Sequence, residues 1–402
     1  MKKGLFLALA VMLLLSGRAL AGDDFKVDGI VIGKDLEKEN ALKIGQADFK
    51  AAVGVSEMFD TNIFLSATDR KSDSINVINP RFFMNLPFGL DERHNLQLLY
   101  SAEIGSYSDY TSQNYQNQDA TGLINFKLPF GYLAFRDLLR NTSDRASTEY
   151  NTQIKRFENT SDVLFGAEFN KFANEFGYRH FLKVFSNNSY EGYDYNEDVF
   201  TDTVFYQLFP KTKALIEYNY SDIGYIHDKT RDGSYNQVRV GLKGDLTGKT
   251  VGIVKVGYQN RQYDTEGMDG FENFVAEIGL LTQFSERTQL KISFIDTAIE
   301  SIYSNNNYYN NNSLLIELNQ KLWERFNFTG SLGVDRNLYP EKDPTLDKKR
   351  RDTIWTGDFG LEYQAKDWVK LGINYQYKQD LSSIDAQDYK RSQIMAKVTF
   401  MI

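Results

Sequence analysis

The sequence has no cysteine and only 6 prolines among 402 residues. The first absence excludes a scaffold stapled by disulfides. The second, set beside 25 tyrosines and 29 phenylalanines, favours strands over loops or disorder. Histidine is also scarce: His94, His180 and His227 stand far apart, with no zinc-protease spacing. His227-Asp228 is the one candidate for water activation, but no second acidic pair accompanies it. There is no G-x-S-x-G elbow. "GDLTGKT" (Gly244 to Thr250) has three residues between its glycines where a phosphate loop needs four, and it reads as a hairpin turn. The chain therefore offers no catalytic residue, metal site or cofactor site. Its formal charge of -8 argues against nucleic acid as a partner.

Long apolar runs are missing except at the start. "MKKGLFLALAVMLLLSGRALAG" has two lysines, an apolar run from Leu5 to Leu15, and Ala19-Leu20-Ala21 where a signal peptidase would cut. The run is shorter than the ~20 residues of a spanning helix. Residues 1–21 thus read as a secretory signal.

What is abundant is alternation. Leu96, Leu98, Tyr100, Ala102 and Ile104 oppose Gln97, Ser101 and Glu103, and Val369, Leu371, Ile373, Tyr375 and Tyr377 oppose Lys370, Asn374, Gln376 and Lys378. Short turns such as "FPKTK" and "FSERT" alternate with long polar stretches such as "TSDRASTEYNTQ" and "YSNNNYYNNNS". The pattern predicts an all-β chain: a transmembrane, antiparallel, up-and-down barrel of roughly 18 strands, or about 16, with short periplasmic turns and long outer loops. Residues 22–48 become a periplasmic lead-in and 49–402 the barrel, placing the chain in a Gram-negative outer membrane with lipid as its surroundings. "SQIMAKVTFMI" is expected to close the barrel against "FKAAVGVSEMF" (Phe49 to Phe59), leaving no open edge.

If the apolar rows face lipid, the opposite rows face the lumen. The candidates are Glu103, Lys127, Glu217, Arg239, Lys243, Lys255, Glu277, Lys291, Glu317, Glu362, Lys370, Lys378, Arg391 and Lys397. Charges of both signs can line a wet passage or pair across its wall. The loop "SNNNYYNNNS" (Ser304 to Ser313) either folds into the mouth or coats the cell surface, and its polarity favours the coat. Val398, Phe400 and Ile402 in the last strand resemble the signal read by the barrel-insertion machinery, a second expected partner.

Phe59, Asp60, Asn62, Ile63 and Phe64, followed by Ser72-Asp73 and Asn79-Pro80, resemble the Putative beta-barrel porin 2 family of outer-membrane proteins; Thr61 stands where an acidic residue is common. The resemblance implies an outer-membrane passage for an exopolysaccharide, working with periplasmic polysaccharide-export proteins. The residues themselves imply only a passage, and a general or solute-selective porin for small hydrophilic molecules is the alternative.

Overall fold

The computed structural model describes residues 42–303, 306–344 and 346–401. The expected signal, residues 22–41 of the expected lead-in, and Ile402 lie outside the described residues. A three-residue strand, β1 (Leu42–Ile44), pairs with the foot of β2 (Ala47–Asp60). The chain then runs up and down through β3 (Asp73–Phe88), β4 (His94–Tyr107), β5 (Tyr115–Leu128), β6 (Gly131–Thr142), β7 (Arg156–Phe169), β8 (Phe172–Phe185) and β9 (Tyr195–Phe209). It continues with β10 (Thr212–Tyr225), β11 (Gly233–Asp245), β12 (Thr250–Tyr263), β13 (Phe271–Ser285) and β14 (Thr288–Glu300). The last five are β15 (Tyr308–Trp323), β16 (Phe326–Asp343), β17 (Lys348–Lys366), β18 (Val369–Ser382) and β19 (Tyr389–Met401).

Consecutive strands from β2 onward pair antiparallel, and β19 returns to β2, from Gln393 opposite Asp60 to Met401 opposite Ala52. The result is a closed barrel of 18 strands. Closure removes the edge that an exposed terminal strand would leave.

The outer face carries the greasy row of each strand. Ile394 and Phe400 on β19, Leu371, Ile373 and Tyr375 on β18, and Val238, Val240 and Leu242 on β11 are all exposed there. At the periplasmic rim, rings pack in pairs: Phe326 with Tyr363 at 4.6 Å between centroids, and Trp368 stacked on Phe400 at 6.4 Å. Such rings keep apolar bodies in lipid and polar tips near water.

The inner face departs from simple alternation. Toward the periplasmic end, Ala52, Phe83, Leu123, Ala134, Leu164 and Met401 form a buried apolar cluster, and Ala173, Phe205, Leu215 and Ile253 form a second. Leu123, Leu215, Ile253 and Met401 lie in the rows of the inward candidates Lys127, Glu217, Lys255 and Lys397, which were expected to be polar. The wall is concave there, so inward side chains of neighbouring strands converge and shield one another. Each large side chain so buried contributes about 1.5–3 kcal/mol. Nearby, the Tyr132 ring lies across Gly166, where any Cβ would stand 2.3 Å from it. The glycine lets the ring lie flat, and the phenol donates to Glu175 Oε1 at 2.6 Å.

Candidate functional site

Above the apolar clusters the inner wall is charged, and its charges are brought together along the wall. Glu217 on β10 is buried and accepts from Lys255 Nζ on β12 at 2.8 Å and from Arg239 Nε on β11 at 2.6 Å. Arg239 Nη1 also donates to Glu277 Oε2 on β13 at 2.9 Å, which lies 3.5 Å from Lys255. Four of the sequence candidates thus form one network. Lys291 pairs with Glu317 at 2.7 Å, and Lys243 lies 3.7 Å from Glu175. Glu103 accepts from the Tyr115 phenol at 2.7 Å, and Lys378 faces the Tyr389 ring. Lys397 lies over Gly54, while Lys127 and Glu362 are exposed near the periplasmic ends of β5 and β17 and Lys370 is half-buried near that of β18. Buried pairs of this kind fix side chains in place rather than adding much net stability.

A second set, absent from the sequence candidates, is Arg136, Asp162 and Arg179. Asp162 accepts from Arg136 Nε at 2.8 Å and from Arg179 Nε at 2.7 Å. The two arginines sit in "AFRDLLRN" and "YRHFLKVF", where charged and apolar residues do not alternate cleanly enough to assign faces.

The family-like segment has a structural task at the seam. Asp60 is fully buried and accepts from Arg391 Nε at 2.8 Å, Gln393 Nε2 at 3.1 Å and the Asn62 amide at 2.9 Å. Asn62, also fully buried, donates to Lys390 O and Ser66 O and accepts from the Ser66 amide. Together they bind the last strand to the first and fold residues 61–72 into a compact hairpin loop. Ile63 is buried in this loop, Phe64 meets Tyr110 edge-on, and Phe59 faces outward beside the seam.

The mouth is crossed by residues 143–155, the connection between β6 and β7. Arg145 Nη2 donates to Ile63 O at 2.8 Å, on the β2–β3 loop. Thr148 Oγ1 accepts from Asn337 Nδ2 on β16 at 2.9 Å. Glu149 accepts from Ser301 Oγ at 2.7 Å and from the Ile302 amide at 3.0 Å, both after β14. Tyr150 packs against Phe185 and Tyr190, and Asn151 approaches Gln387 at 3.4 Å. In a ring of 18 strands, β16 lies half-way round from β7, so the segment reaches the far wall.

The far anchor is itself held: Arg231 from the β10–β11 loop donates to Ser301 O, and Arg350 on β17 donates to the Tyr303 phenol. Glu149 is only 5% exposed. Burial raises its pKa, against the hydrogen bonds from Ser301 and Ile302, which favour the charged form. Burial, with the like charge of Arg391, pulls Arg145 down to about 10. At the rim, His227 Nε2 stands 3.7 Å from Asp194 Oδ2, not beside a nucleophile.

This segment was not visible as special in sequence, because "TSDRASTEYNTQ" resembles any polar surface loop. The one signal was its apolar content: Tyr150 and Ile154 are buried against Phe185. Conversely, most of "SNNNYYNNNS" is not a surface coat. Tyr308 to Ser313 are the outer half of β15, with Tyr309, Asn311 and Ser313 buried on its inner side; Ser304 and Asn305 lie outside the described residues.

Residues 189–401, more than half of the chain, match the model of the family Putative beta-barrel porin 2, and the chain belongs to that family. No match was found among curated protein sequences. Among solved structures, the chain is similar to OccK2 (OpdF) of Pseudomonas aeruginosa, with a TM-score of 0.51 at 7% identity over 88% of this chain and 98% of that one. OpdK with vanillate, from the same organism, gives 0.49 at 9% identity over 88% and 99%. The siderophore receptor PirA, also of Pseudomonas aeruginosa, gives 0.41 at 9% identity over 88% and 80%. At these identities the OccK2 likeness shows the fold alone. Family and fold together make the protein a β-barrel porin of the Gram-negative outer membrane.

Proposed function

We propose that this porin passes small hydrophilic solutes, with residues 143–155 setting the width of the path. The observation that carries this reading is the span of the segment from the β6–β7 corner to Asn337 and Ser301 across the mouth. Solutes of a few ångströms can pass beside such a strap, and the charged candidates on the inner wall would then touch them. A polymer would have to displace the strap and expose Glu149, Tyr150 and Ile154 together, which weighs against the polysaccharide passage implied by family resemblance alone. On this reading periplasmic export partners are not required. We further assign residues 1–21 as the export signal and the stretch ahead of β2, residues 22–46, as the periplasmic lead-in, two residues shorter than the sequence suggested because β2 begins at Ala47, with Val398, Phe400 and Ile402 as the insertion signal.

The test is conductance of the purified protein in planar bilayers, together with swelling of liposomes in sugars of graded size. Open conductance with a cut-off among small sugars is expected. A silent channel, combined with loss of secreted polysaccharide in a deletion strain of the native host, would overturn the reading.

A further inference from the structure

Toward the cell exterior the outward rows of all the strands turn polar, and the charge they carry changes sign around the barrel. From β2 to β14 it is acidic, with Glu57, Asp137, Asp198, Asp222, Glu272 and Asp296 in those rows. Among the described residues, no lysine or arginine stands in any outward row from β2 to β15. On β16 to β19 the sign reverses. Arg336 on β16, Lys349 and Arg351 on β17 and Lys390 on β19 all occupy outward rows, and all four are exposed.

Strand register gathers these cations. Arg336 lies opposite Thr353 and Arg351 opposite Leu338, so the two arginines are diagonal neighbours. Lys390 lies opposite Gln379, which lies opposite Trp355, two residues below Thr353 on β17. Among the described residues none of the four side chains meets a carboxylate. The inward arginines beside them are neutralised instead: Arg350 Nε donates to Asp352 Oδ2 at 2.8 Å, and Arg391 Nε donates to Asp60 Oδ2 at 2.8 Å. Apolar side chains stand among the cations. Leu381 is exposed on β18, opposite Thr353, and exposed Trp355, Leu332 and Ile394 continue the apolar band below.

We infer that this sector binds the phosphate groups of an outer-leaflet glycolipid, whose acyl chains lie against Trp355 and the band beneath it. An arginine fork matches two phosphate oxygens at once, and basic groups at the edge of an apolar band attract anionic headgroups. Cations mixed with exposed apolar side chains fit an amphiphile better than a soluble anion. The sign of the charge selects the sector: along the acidic remainder of the ring a phosphate would be repelled.

The test is native mass spectrometry of the full chain in mild detergent with bisphosphorylated lipid A, beside the same lipid stripped of its phosphates. A chelator is present throughout, so that no divalent cation can bridge a phosphate to the acidic strands. The unaltered protein is expected to hold the phosphorylated lipid and to lose most of it when the phosphates are removed. Arg336→Gln with Arg351→Gln should lower the lipid-bound fraction several-fold, whereas Lys171→Gln with Lys211→Gln, exposed on periplasmic turns, should leave it unchanged. Folding of both variants is verified by heat-modifiable mobility. Binding that survives the two arginine substitutions, that is equal for the stripped lipid, or that appears only without chelator would overturn the proposal. So would full displacement of the lipid by inorganic phosphate at constant ionic strength, which would assign the cations to a soluble anion. None of these readouts depends on what the channel carries.

Discussion

Two outer connections, residues 143–155 and 301–313, are alike in composition and opposite in fate. Both are polar and tyrosine-bearing. The first leaves the wall and crosses the mouth; the second is already β15 from Tyr308 on. The difference lies in their anchors. The first has Tyr150 and Ile154 to bury against Phe185, and Glu149 to bind Ser301 and Ile302. The second has Asn311 and Asn312, whose amides reach Asn337 on β16 and Asp296 on β14, neighbours within the sheet. A loop folds inward when it has apolar side chains to hide and a distant partner for its buried charge; otherwise its backbone hydrogen bonds are better satisfied by extending the sheet.

The hardest way to break this contrast is to remove the strap. Replacing residues 146–152 by a short Gly-Ser link should raise single-channel conductance several-fold and enlarge the sugar cut-off in liposome swelling. An unchanged conductance would mean that the strap does not limit the path.

Next comes its support. Asp60→Asn breaks the seam contact with Arg391 and loosens the loop that receives Arg145. Breaking a buried pair costs about 3–5 kcal/mol. The folded band on unheated gels should convert to the unfolded one at a clearly lower temperature, and channel noise should increase.

The charge inside the strap gives a smaller effect. Burial holds the closed-state pKa of Glu149 above its solvated value. Closure is therefore favoured while the carboxyl is protonated and weakens as pH rises through the raised value. Conductance should be lowest in acid and climb with pH, and Glu149→Gln should flatten that rise. A wild-type profile that falls with pH would contradict the assignment.

Least is expected from the second connection. Asn312→Ala removes one half-buried contact with Asp296 and should leave conductance unchanged and heat stability within about 1 kcal/mol of the original. A large change in conductance there would erase the distinction between the two connections.

Much of the architecture was legible from period-two patterning. Strand number, closure of β19 on β2 and the outward rows of β11, β18 and β19 follow from residues that must face lipid on one side only. The inner face was legible where charge marked it: Glu217, Arg239, Lys255 and Glu277 alternate plainly with apolar neighbours. It was illegible at Phe83, Leu123, Phe205 and Leu215, because an apolar residue in an inward row looks like an error in alternation until the concave wall gives it company.

Residue order alone settles the class, a closed antiparallel barrel in an outer membrane, because alternation is a local property that each strand states for itself. Tertiary structure decided the path and the surfaces. Asp60 meets Arg391, and Glu149 meets Ser301, only when the ring is closed and the strands are set in register. Contacts between residues so distant in the chain depend on where the whole wall carries them, and no local pattern encodes that.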